Sequence, residues 1–223
     1  MPASKPPAPR ARRNEDANRR DQLVRASARL FREKGYDGTS VRDIAAATGM
    51  QSGSWVYHFR TKQDILASVM EEGLARALER IEAIGARELE PREKFRALVR
   101  THLETLLGPG QDFIPVLLYE WRSLEAAQRP RVVAPQKRYE RVWTETIGEL
   151  QACGDWVLPT RVDHLLMFGA LNWIAHWYRN RGALDVDELT DECVRFFLRT
   201  PEPAARSRRG AAQKAVARRA SKR

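Results

Sequence analysis

Cysteine is nearly missing from this 223-residue chain, and the two that occur, Cys153 and Cys193, sit far apart in apolar helical patterns. A disulfide framework is excluded on that count, and the chain reads as cytoplasmic. Long apolar runs are missing too. Nothing approaches the ~18 residues that a membrane-spanning helix needs, and MPASKPPAPRARR at the N-terminus has no apolar middle of the kind a signal peptide carries. Alternating apolar and polar residues, the mark of a half-buried strand, are almost absent, which argues against a sheet. There is no glycine loop to cradle a phosphate and no nucleophile elbow. His102, His164 and His176 lack the i, i+4 pairing and carboxylate company of a zinc site, although a single histidine could still line a pocket. No catalytic residue, metal or cofactor is expected.

The net charge of +10 is unevenly spread. Residues 1–20 contribute +4 and residues 201–223 contribute +7, leaving −1 for everything between. Both ends are rich in Pro, Ala, Ser and Arg, so 1–17 and 201–223 read as disordered basic tails. They fit solubilising ends as well as they fit general attraction to a polyanion. The middle is not basic, so nucleic-acid binding has to rest on a motif.

Helical periodicity runs through that middle. A first helix over ~18–34 ends at Gly35, and a short second one from Thr39 or Ser40 to ~Thr48 closes at Gly49. A third, capped by Ser52, covers SGSWVYHF, and a fourth spans ~62–84 with Ile65, Leu66, Val69, Leu74, Leu78 and Ile81 in one stripe. Further helices are expected at ~91–107, ~112–126 with a bend at Pro115, ~131–152, ~160–180 and ~186–199, the last behind a capping box of Asp185 and Glu188. The expected fold is all-α, with about nine helices.

The second and third helices, joined at Gly49, have the layout of a helix-turn-helix. TSVRDIAAATGMQSGSWVYHFRTKQDIL, residues 39–66, together with the preceding FREKGYDGTS, resembles the DNA-binding signature of the TetR family of bacterial transcription regulators. The resemblance implies a helix-turn-helix domain over 18–62 and a ligand-binding and dimerisation domain over 63–200. It implies that Gln51, Ser52, Gly53 and Ser54 approach base edges, and that Thr39, Tyr57, His58 and Lys62 hold backbone phosphates, with Arg42 as a further contact. Val41, Ile44, Ala45 and Phe59 read more simply as core. Trp55-Val56 departs from the family's usual Leu-Tyr, so an oversized core residue and an altered operator preference are expected there.

In that family the last two helices form a homodimer and the larger domain encloses an effector. VDHLLMFGALNWIAHWYRN, within ~161–180, is apolar nearly all round, as a doubly covered helix must be. Phe168, Leu171, Ile174 and Ala175, with Leu189, Cys193, Phe196 and Phe197, are the expected interface; a monomer core closing over the same helix is the alternative. LNWIAHWYRNRGALDVDEL is similar to a stretch in family members that respond to acyl-coenzyme A thioesters, a likeness carried by Asn172, Trp173, Trp177, Tyr178, Arg179 and Arg181. Arg122, Arg138 and Arg141 are added as candidates for the coenzyme phosphates. The same aromatics fit a core or an interface, and Arg179 fits a helix C-terminus. The expected molecule is a dimeric repressor with a small apolar effector, an acyl-CoA favoured. A different hydrophobic ligand, or a DNA-associated protein of the same fold with no effector, remain open.

Overall fold

In a computed structural model, residues 9–51, 53–108, 111–156, 162–179, 182 and 184–198 are described. Ser52, Arg181 and the C-terminal tail lie outside them. The elements are α1 (Pro9–Lys34), α2 (Val41–Ala47), α3 (Lys62–Gly85), α4 (Pro91–Leu107), α5 (Phe113–Tyr119), α6 (Arg129–Ala152), α7 (Asp163–Trp177) and α8 (Val186–Phe197). Two 3-10 turns, Ser54–Tyr57 and Trp121–Ser123, complete the set, and no strand occurs among the described residues.

Side chains that close the first turn start three of these helices. Ser40 with Asp43, Thr61 with Asp64 and Asp185 with Glu188 each form a reciprocal capping box ahead of α2, α3 and α8, a device worth about 1 kcal/mol each. α4 opens on Pro91, whose missing N–H would have no helical acceptor there anyway. Three boundaries differ from the sequence reading. α1 begins at Pro9 instead of ~18, because proline suits a first turn and the Ala, Arg and Glu that follow are good helix formers. Pro115 does not bend α5; it lies in the first turn, and the helix stops at Tyr119. The expected third helix is a single 3-10 turn, since Gly53, Ser54, Trp55, Val56 and Tyr57 all rank low in helix propensity.

Two apolar cores are threaded by α3. Ile65, Leu66, Val69, Met70 and Leu74 pack with Leu23, Ala28 and Phe31 of α1, Ile44 of α2 and Phe59. Further along, Ala77, Leu78, Ile81 and Ile84 join Phe95, Leu98 and Leu103 of α4, Trp143 of α6 and Leu171 of α7. Two crossings leave no room for a methyl group. A Cβ on Gly73 would stand 2.8 Å from Phe113 Cβ, and one on Gly85 would stand 2.9 Å from Val142 Cγ1. α3 is thus gripped by α5 at its middle and by α6 at its end.

The expected dimer residues mostly belong to this single-chain core. Leu171, Ile174 and Leu189 are buried, and Phe168, Ala175, Cys193 and Phe197 pack partly against the same cluster. Only Phe196, 72% exposed, points out. The outward stripe is instead Val162 at the N-cap of α7 with Leu166, Trp173 and Trp177 along it, Leu166 67% and Trp173 61% exposed. An all-round apolar helix gives no phase, so sequence does not say which side the core takes.

Candidate nucleic-acid interface and cavity

The α2-turn-3-10 unit is held from behind. Ile44, Ala45 and Phe59 are buried, and Trp55 and Val41 are partly buried against them. Gly49 makes the turn with φ +66°, a conformation that costs other residues about 1 kcal/mol or more. The opposite face is left to solvent: Tyr57 is 90% and Val56 55% exposed, and Arg42, Gln51, Gly53 and Arg60 are exposed as well. A Cβ at Gly53 would meet nothing within 4 Å, so that position leaves open space in front of the backbone. Between this face and α1 lies an open groove of about 770 Å³, with Arg19 and Gln22 on one wall and Gln51, Ser54, Tyr57 and His58 on the other. Asp16 is the single carboxylate among its described lining residues.

A second, mostly apolar cavity of about 470 Å³ lies in the larger core, lined by Leu74 and Ala77 of α3, Ile114, Leu117 and Leu118 of α5, and Leu165 and Phe168 of α7. Its polar end holds a hydrogen-bonded chain: His102 Nδ1 lies 2.8 Å from the Tyr139 hydroxyl and His102 Nε2 lies 3.1 Å from Asn172 Oδ1. Burial pushes the His102 pKa down to about 4, so the ring is neutral, and burial also raises that of the Tyr139 phenol. Gln136 donates to Glu140 over 2.9 Å at the same end. No Lys or Arg is among the described lining residues.

Two family models cover most of the described chain. Bacterial regulatory proteins of the tetR family match residues 23–69, and the tetracyclin repressor-like C-terminal domain matches residues 88–200. This chain belongs to the TetR family. It resembles the HTH-type transcriptional repressor KstR2 of Rhodococcus jostii, 29% identical over 188 residues, which span 82% of this chain and 90% of that one. A solved structure of the superantigen PfiT is 36% identical, with a TM-score of 0.71 over 82% of this chain and 97% of that chain. AibR, solved in complex with isovaleryl coenzyme A and operator DNA, shares the fold at 24% identity, with a TM-score of 0.73 over 81% and 98% of the two chains. The protein is a DNA-binding transcriptional regulator, of the repressor type to which KstR2 belongs, and not an enzyme.

Against the TetR pattern, the sequence-derived contacts divide. Arg42, Gln51, Gly53, Ser54, Tyr57 and His58 lie on or beside the open face, and Arg42 has no ion-pair partner among the described residues. Thr39 does not. Thr39 is 1% exposed, and its hydroxyl is 3.2 Å from Leu30 O and 2.9 Å from Gly35 O, so it braces the loop before α2. Lys62 is also engaged inside the protein: its ammonium donates to Tyr36 O and lies 3.9 Å over the Tyr36 ring, pinning the start of α3 to the same loop. Arg19 on the groove wall escapes a sequence reading, because at the start of the first helix it is only one more charge among several.

Of the residues that carry the acyl-CoA likeness, Asn172 lines the cavity, whereas Trp173, Trp177, Tyr178 and Arg179, with the added Arg122, Arg138 and Arg141, are not among its described lining. Arg138 pairs with Glu82 and Arg141 with Glu145, both on the surface, and Arg122 is exposed next to the lining Trp121. Trp173 stacks on His176 at 4.2 Å on the outward face, where Trp177 is also exposed. Tyr178 is buried and donates to Leu184 O; Arg179 donates to His176 O and Tyr178 O, where it caps the end of α7. The polar residues that line the cavity, among them His102, Tyr139 and Asn172, come from three helices. Of these three, Asn172 is legible from the likeness in the C-terminal stretch and His102 as a histidine on the apolar face of its helix, while Tyr139 gives no signal in the sequence.

Proposed function

We propose that this protein is a cytoplasmic homodimeric repressor that holds a near-palindromic operator and releases it when a small apolar effector enters the 470 Å³ cavity. The observation that carries this reading is the shared helix: Leu74 and Ala77 of α3 line the cavity, while Lys62 at its start is bonded to the loop that precedes the reading unit. An effector that fits one setting of α3 better than the other shifts the population, by no more than that difference in affinity. The outward α7 stripe and Phe196 offer the second copy an apolar face, and a two-fold pair matches half-sites a whole number of helical turns apart.

An acyl-CoA thioester is the favoured effector. The bound isovaleryl coenzyme A of AibR supports it, as does the likeness to the Fatty acid metabolism regulator protein of Bacillus subtilis, 24% identical over 184 residues. On this reading the cavity takes the acyl chain and the nucleotide end stays outside, since no cation is among the described lining residues.

The test is fluorescence anisotropy with DNA from upstream of the protein's own gene, across a range of salt concentrations. Arg42→Ala and His58→Ala are expected to weaken binding to all sequences alike, Arg42→Ala lowering the salt slope by about 1. Octanoyl-coenzyme A is expected to release the wild-type complex. An unchanged slope in Arg42→Ala removes that residue from the interface, and no DNA binding at all refutes the function.

A further inference from the structure

The cavity's polar end is built without a positive charge among its described residues, and its hydrogen-bond accounting leaves one group over. The neutral His102 ring has one N–H and one bare nitrogen. With the proton on Nε2, the ring donates to Asn172 Oδ1 and Nδ1 accepts from the Tyr139 hydroxyl, so the Asn172 amide N–H groups remain. With the proton on Nδ1, the ring donates to the Tyr139 oxygen and the Asn172 amide turns to donate to Nε2, so the Tyr139 O–H remains. Either way the chain ends in an uncharged donor on a residue that lines the cavity.

The charges nearby point the same way. Glu140, also lining, brings a carboxylate that accepts from Gln136. The guanidinium of Arg80 reaches the wall at Thr105, 2.9 Å away, but is held by the Glu104 carboxylate. Among the described residues, a ligand carboxylate placed here would meet one neutral donor, a like charge and no free cation, while losing its own hydration. An uncharged oxygen would lose little and gain a hydrogen bond.

We infer that this cavity selects an apolar ligand carrying an uncharged acceptor oxygen, such as a ketone, ester or thioester, read by Asn172–His102–Tyr139, and that Glu140 excludes the corresponding free acid. The inference rests on the cavity being the effector site and adds to that reading the charge its occupant must have. A repressor so built responds to the esterified form of a chain and ignores the acid it came from.

Three probes separate the possibilities by calorimetric titration of the full chain at neutral pH: 2-octanone, sodium octanoate and octanoyl-coenzyme A. 2-Octanone and the thioester are expected to bind, with octanoate at least about tenfold weaker than 2-octanone. In Glu140→Gln the octanoate gap is expected to close to about threefold while 2-octanone changes less than about twofold. Asn172→Ala is expected to weaken 2-octanone about fivefold. Melting temperature and operator binding without probe establish that each variant is folded. Octanoate binding as tightly as 2-octanone overturns the charge selection and leaves the effector site standing, and an unchanged gap in Glu140→Gln removes Glu140 from it. A response to octanoyl-coenzyme A without one to 2-octanone moves recognition to the coenzyme portion and overturns the inference. No binding by any probe, with operator binding intact, overturns both readings.

Discussion

Protonating His102 is expected to cost this fold stability well above the pH at which its surface carboxylates titrate. The ring sits between Tyr139 and Asn172, edge-on to Trp143 with centroids 5.9 Å apart, and its pKa is held at about 4 against an ordinary 6.5 by burial. Above pH 6.5 both folded and unfolded chains carry it neutral, and the full stability is present. Between 6.5 and 4 the unfolded chain takes up a proton that the folded one refuses, so stability falls as pH falls, at up to about 1.4 kcal/mol per pH unit. Below 4 both are protonated and this group adds no further loss. The whole effect is about 3 kcal/mol, or roughly 6–12 °C of melting temperature for a chain of this size. Melts of the wild type and His102→Gln between pH 4 and 7 provide the assay. Glutamine keeps a donor and an acceptor at the site but does not titrate. Asp43 and Asp187, held below the ordinary 3.8 by hydrogen bonds from Ser40 and Arg100 respectively, act at lower pH and equally in both proteins. Parallel falls in the two proteins from pH 6.5 to 4.5 would refute the reasoning.

Gln63→Leu should sever a link between cavity wall and reading unit. The Gln63 amide donates to the Tyr36 hydroxyl over 2.9 Å and to Ser123 O over 2.7 Å, and accepts from Glu125 N over 2.9 Å. A loss of about 2–3 kcal/mol, or roughly 4–12 °C, is expected in thermal melts. The ratio of operator affinities with and without octanoyl-coenzyme A should shrink as well; an undiminished ratio shows that coupling runs elsewhere. Leu166→Glu, on the outward stripe of α7, should leave a monomer with weakened operator binding in sedimentation and anisotropy measurements. A persistent dimer would place the interface on another face.

What a sequence can and cannot tell follows from the range of the forces involved. Capping boxes are local, so the pairing of Asp185 with Glu188 is legible from spacing alone, and the Gly49 turn is too. Ile44 and Phe59 are legible as core because the motif around them is short and fixed in spacing. Thr39 and Lys62 match a pattern of phosphate donors, yet their partners, Leu30 O, Gly35 O and Tyr36, are set by how the loop after α1 folds back. The cavity is the least legible. Its polar end is assembled from α4, α6 and α7, and the Arg and Trp residues that look suited to a ligand are taken up by surface ion pairs, a helix end and the outward stripe.

The two glycine crossings give α3 the proportions of a lever. α5, three of whose residues line the cavity, bears on it at Gly73, and Val142 closes on Gly85 at the far end. At 1.5 Å per residue the arm from Gly85 to Gly73 is about 18 Å and the arm to Lys62 about 35 Å. With Gly85 as fulcrum, a push of about 1 Å from α5 arrives at the reading unit as about 2 Å, a mechanical advantage set by the spacing of two residues that lack a side chain. Adding even a methyl at Gly73 alters where that push is applied without touching either the ligand or the DNA.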